Sequence, residues 1–162
     1  MTVAAPDAAT REIVIEDVFA YPPEVIWRVL TTGALIGRWL GMSPLGFEAV
    51  AGARFTFQTD PAGAWDGVIH CRVLEITTNE SFSFSWQGGD DRNERYGSRL
   101  DTVVTFTLTQ VAEGTRLRLV HSGFVTPRND SSLRNLSGGW KHVAGRIAAV
   151  CGEEQAFNPT RH

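Results

Sequence analysis

Polar and apolar residues alternate along much of the chain, and a period of two predicts strands. From 81 to 86, Ser-Phe-Ser-Phe-Ser-Trp sets Phe82, Phe84 and Trp86 on one face. From 100 to 110, Val104, Phe106 and Leu108 oppose Thr105, Thr107 and Thr109. From 115 to 123, Leu117, Leu119 and His121 oppose Arg116 and Arg118, with a tight hairpin turn expected at Glu113-Gly114. Earlier, 53–59 alternates around Phe55 and Phe57, and 64–77 is a long strand with Gly67 as its expected bulge. At the start, 11–19 sets Ile13 and Ile15 against Glu12 and Glu16, the pattern of a half-buried strand.

Three segments change to a helical period. Over 21–33, Val25, Ile26, Val29 and Leu30 share a face, Pro23 suits the first turn, Glu24 complements the N-terminal dipole and Gly33 is the expected stop. A second short helix is expected over 34–41. Near the C-terminus, Leu133, Leu136, Trp140, Val143, Ile147 and Val150 form a stripe behind an expected N-cap at Asp130 or Ser131. That helix carries Gly138, Gly139 and Gly145, each costing about 1 kcal/mol relative to alanine. Two causes are physically reasonable: close approach of the helix to a sheet, or free space beside Trp140 for a ligand.

A meander of alternating strands has one apolar face to bury, and only the last helix is long enough to cover it. The expected class is α+β. A curved antiparallel sheet of about six to seven strands wraps around a long C-terminal helix, with two short helices after the first strand. One domain over 11–152 is expected, between a disordered tail over 1–10 and a flexible one over 153–162.

Several local motifs, in this order, resemble the SRPBCC (START-like, Bet v-type) helix-grip superfamily, and within it the Aha-type branch. That branch comprises homologues of the C-terminal domain of the heat-shock protein 90 ATPase activator, with CalC-like and polyketide-cyclase-like bacterial members. The motifs are YPPEVIWRVLTT and LIGRWLG near the start, then WDGVIHCRVLEI and FSFSW, and finally TRLRLVHSGF and GGW. One departure is VAGARF, where the family usually has Gly-Gly before the third strand. The resemblance spans about 11–151 and implies a cavity between sheet and helix. Its members mostly bind apolar small molecules, and some catalyse cyclisation or related steps.

Composition narrows the partners. Net charge is −3, and Lys141 is the sole lysine among 15 basic residues, so no basic cluster suits nucleic acid. Cys71 and Cys151 lack metal-ligand spacing, and two buried free thiols are expected; no metal or cofactor is. No apolar run reaches membrane-spanning length, and with no leader-like start the expected location is the cytoplasm. One open sheet edge leaves room for a homodimer.

The candidate ligand-binding residues are Trp39, Phe57, Trp65, Trp86, Phe106, Leu108, Leu119, His121, Gly139 and Trp140. Each large aromatic has core packing as its alternative role. His121 shares the strand phase of Leu117 and Leu119, so it reads as a hydrogen-bonded core histidine or, as the weak catalytic candidate, a donor or general base. His70 and Arg72 share a strand face, either solvated or facing an anionic group, and Gly67 obscures the phase. Arg95, Tyr96 and Arg99 sit on a glycine-rich loop that is either a lid or simply solvated. Three functions are in play. The first is binding of an apolar or aromatic small molecule. The second is a cyclase/aromatase- or hydrolase-like enzyme using His121. The third is a co-chaperone stimulating a heat-shock protein 90 ATPase.

Overall fold

The computed structural model describes residues 10–157. The element order is β1 (Thr10–Phe19), α1 (Pro23–Thr31), α2 (Gly33–Leu40), β2 (Arg54–Gln58), β3 (Val68–Thr77), β4 (Ser81–Gly88), β5 (Leu100–Val111), β6 (Gly114–Val125) and α3 (Asp130–Phe157). The six strands form one curved antiparallel sheet in the order β1-β6-β5-β4-β3-β2, with α3 in its grip. This is the helix-grip α+β fold. Among the described residues no helix is long and apolar enough to cross a membrane.

The alternating strands turn their apolar positions to the concave side. Phe55, Phe57, Phe82, Phe84, Trp86 and Phe106 are all buried there. Phe82 pairs in register with Phe106, and their rings stack with centroids 6.1 Å apart. The C-terminal half of α3 is fastened to α1 and α2 by Arg28 to Glu154 at 3.3 Å and by Arg38 to both Glu153 and Glu154. The N-terminal half faces the strands.

Several boundaries differ from expectation. Gly33 does not stop α1; extended Thr32 breaks the path, and Gly33 opens α2. β3 starts at Val68, so Gly67 is no bulge. It closes the β2–β3 connection at φ +82°, where a Cβ would lie 2.3 Å from the Thr59 carbonyl oxygen. The bulge lies at Leu74, between Val73 and Glu75. The β5–β6 turn falls on Ala112 and Glu113, with Gly114 already paired to Val111. Asp130 is the first residue of α3 rather than its cap, and the buried Asn129 precedes it. The helix runs through Phe157, so of the tail expected over 153–162 the residues 153–157 are helical, and 158–162 lie outside the described residues. Of the tail expected over 1–10, all but Thr10 lies outside the described residues.

Candidate functional site

A cavity of about 270 Å³ separates the N-terminal half of α3 from the ends of β3, β4 and β5. Trp65, Trp86 and Trp140 line it, together with Leu40, Ile69 and Val143. Tyr96, 46% exposed, and the exposed Asn135 and Gly139 place its mouth between the β4–β5 loop and α3. The polar side chains on the wall are Thr59, Ser98, Ser132 and Asn135, beside the Tyr96 phenol and the tryptophan indoles. Among the described residues no charged side chain lines it.

The mouth is a built structure. Asn93, in the β4–β5 loop, accepts from Ala64 N–H at 3.1 Å and donates to the Ala62 and Gly97 carbonyls at 2.7 and 3.2 Å. The loop is thereby tied to the β2–β3 connection that carries Trp65. Asn129, at the foot of α3, donates to Ser98 Oγ at 3.0 Å and to the Arg99 carbonyl at 2.9 Å, while its Oδ1 accepts from Val125 N–H at 2.8 Å. The loop is therefore neither a free lid nor merely solvated: Tyr96 and Gly97 form cavity wall, while Arg95 and Arg99 stay exposed.

The tryptophan walls are set by a buried relay. Trp140 Nε1–H donates to His121 Nδ1 at 2.9 Å. An indole nitrogen can only donate, so Nδ1 is bare, and the neutral ring carries its proton on Nε2. Nε2 lies 2.8 Å from Thr102 Oγ1, which donates to the Trp86 carbonyl at 2.8 Å. Every polar atom of the chain from α3 through β6 and β5 to β4 is thereby satisfied. Burial pushes the imidazole down to about 3, which keeps it neutral.

Four of the ten expected binding residues reach the cavity: Trp65, Trp86, Gly139 and Trp140. The other six belong to the packed core. Trp39 is 1% exposed, donates to the Val29 carbonyl at 2.9 Å and packs edge-on against Phe106. Phe57 packs between Phe55 and Trp86. Phe106, Leu108 and Leu119 are buried but off the cavity wall, and a space of only about 10 Å³ touches Phe106 and Leu119 on its other side. His121 is wholly buried behind Trp86 and Trp140, with no carboxylate or guanidinium bonded to it. The general-base role is thereby corrected: the ring touches no solvent-accessible space, and both nitrogens are engaged. His70 and Arg72 point outward, opposite Ile69, Cys71 and Val73.

The close-approach explanation of the α3 glycines is also corrected. A Cβ on Gly138, Gly139 or Gly145 would meet nothing within 4 Å. Gly139 borders the cavity mouth; nothing in the structure explains the other two. Sequence reasoning missed Leu40, Met42, Ile69, Leu100, Leu136 and Val143 on the wall. Of these, only Leu136 and Val143 were signalled, by sharing a helical stripe with Trp140.

A family model described as "Activator of Hsp90 ATPase homolog 1-like protein" matches residues 20–152. The chain belongs to that family. No functionally curated protein matches it. Among solved structures, protein MLL2253 from Mesorhizobium loti is 33% identical with TM-score 0.75, over 88% of this chain and 98% of that one. CalU16 from Micromonospora echinospora is 20% identical with TM-score 0.67, over 94% and 83%. The Aha1 dimer from Colwellia psychrerythraea is 20% identical with TM-score 0.65, over 85% and 93%. The last two likenesses bear on the fold. The family match and the ordering of its motifs place the chain in the Aha-type branch of the helix-grip superfamily.

Proposed function

We propose that this protein binds a small, uncharged, largely apolar or aromatic molecule in the cavity between α3 and the sheet. The observation that carries the reading is a preformed space of about 270 Å³ walled by three tryptophans and a tyrosine, with no charged side chain on it among the described residues. Its volume is near the lower end of the ~300–1,000 Å³ typical of ligand pockets. That favours a compact ring system over a long lipid chain. Its neutral wall disfavours a buried carboxylate or amine, whose desolvation would go uncompensated. Neighbours of the same fold include CalU16 and DynU16, the latter a putative protein of the dynemicin biosynthetic locus. The setting of DynU16 agrees with a role close to small-molecule chemistry.

Catalysis through His121 has no support in this geometry. The family's name points to ATPase activation, but the feature this chain itself offers is the cavity, and binding is therefore the function proposed. A homodimer belongs to the same proposal: a solution structure of one neighbour is a dimer, and β1 offers ten residues at the sheet edge. Sedimentation that shows only monomer at the highest concentration reached would remove that part.

Native mass spectrometry of freshly purified protein, followed by a denaturing run, tests the binding. A co-purified neutral aromatic is the expected result. A clean mass, together with no saturable quenching of tryptophan emission by neutral aromatic probes, would overturn the reading.

A further inference from the structure

Ser132 lies in the first turn of α3, is 5% exposed, and contributes to the cavity wall. Among the described residues its hydroxyl makes no hydrogen bond. The threonines at the end of α1 behave otherwise: Thr31 and Thr32 bond back to the carbonyls of Trp27 and Arg28 at 2.7 and 2.6 Å. No fully enclosed side-chain oxygen or nitrogen lacks a partner among the described residues, so Ser132 Oγ still touches accessible space. For a residue this buried on the cavity wall, that space is the cavity.

Two more polar groups lie at the same end. Asn135, one turn along α3, lines the cavity and its amide has no hydrogen-bond partner among the described residues. Ser98, 1% exposed, receives the Asn129 amide proton on its oxygen, and its own hydroxyl proton has no protein acceptor. Ile69, Leu136, Val143 and the ring faces of Trp86 and Trp140 are apolar wall, while Thr59 and Tyr96 add hydroxyls from the strand side and the β4–β5 loop. The cavity is thus amphipathic, with the Ser132 hydroxyl and the Asn135 amide together on its α3 side. A hydroxyl facing an apolar space gains when a ligand atom completes its hydrogen bond, and discriminates against a ligand that cannot.

We propose that Ser132, with Asn135 beside it, forms a hydrogen-bonding subsite for a hydroxyl or carbonyl oxygen on a neutral aromatic ligand, and that Ser132 sets specificity for that oxygen. The inference rests on the cavity being a ligand site.

Isothermal titration with naphthalene, 1-naphthol and 1-naphthoate separates the two claims. Wild-type protein is expected to bind 1-naphthol about five- to tenfold more tightly than naphthalene, the worth of one well-made hydrogen bond, and 1-naphthoate most weakly. Ser132→Ala should reduce the naphthol preference to about twofold or less, through weaker naphthol binding together with tighter naphthalene binding once no hydroxyl is left unpaired, and Ser132→Thr should restore part of it. Equal wild-type affinities for naphthol and naphthalene, or a preference that survives in Ser132→Ala, would overturn the subsite while the cavity reading stands. Failure of all three probes to bind would overturn both.

Discussion

Trp140 on α3 hands its indole proton to His121 on β6 at 2.9 Å, and this bond joins the gripped helix to the sheet. His121 passes the linkage through Thr102 to the backbone of Trp86, so two of the three cavity tryptophans hang on one imidazole. His121→Phe keeps the ring volume but leaves the Trp140 N–H buried without an acceptor. A loss of about 1–3 kcal/mol is expected, with altered tryptophan emission, measured by urea unfolding followed by fluorescence. An unchanged midpoint would show that the bond carries no net stability.

The same group makes stability pH-dependent. His121 titrates at about 3 in the folded protein against an ordinary 6.5. Between those values the unfolded chain binds a proton that the native state refuses, so stability is full above about 6.5 and falls as pH drops toward 3. This one group contributes a slope approaching about 1.4 kcal/mol per pH unit inside that window. Unfolding curves at stepped pH should show the slope in wild type and its absence in His121→Phe.

Gly138 and Gly145 face open space in the middle of a helix. Replacing either with alanine is expected to stabilise the protein by up to about 1 kcal/mol. Gly89→Ala should act in the opposite direction, because Gly89 has φ +84° and a Cβ there would lie 2.2 Å from the Ser98 carbonyl oxygen. Thermal melts of the three variants decide the matter, and melts that rank the other way would contradict it.

Asn129 holds the β4–β5 loop to the foot of α3 with two hydrogen bonds from its buried side chain, and a third, accepted from Val125 N–H, ties it to the end of β6. Asn129→Ala should cost about 2 kcal/mol or more and speed amide exchange across residues 89–99. Asn93→Ala should speed exchange in the same loop and around Trp65 at a smaller stability cost, since Asn93 is only partly buried. Exchange that stays unchanged in both would show that the loop is held by other means.

Cys71 and Cys151 are both buried. Burial pushes the Cys71 thiol far up and raises Cys151 to about 12. Neither forms thiolate at neutral pH, so a thiol-directed disulfide reagent should label neither until the protein unfolds. Rapid labelling of the native state would show a more open interior.

The architecture was legible in the order of residues alone. Strict alternation around Phe82, Phe84, Phe106 and Leu119 can bury only one sheet face, and the stripe through Trp140, Ile147 and Val150 supplies the one helix able to cover it. Those periods are local, so they were legible without coordinates. The cavity was legible only in part, at Trp65, Trp86, Gly139 and Trp140. Inward phase shows that a side chain leaves solvent, not whether it meets another side chain or empty space. That is why Trp39, Phe57, Phe106, Leu108 and Leu119 were expected in the site and lie in the core. Only the tertiary structure decided that His121 is an engaged scaffold residue, because its partners Trp140 and Thr102 are each 19 positions away in sequence. Likewise, nothing local marked Asn93 and Asn129 as the ties that shape the mouth, since a side-chain amide acquires its role from backbone groups that the fold brings to it.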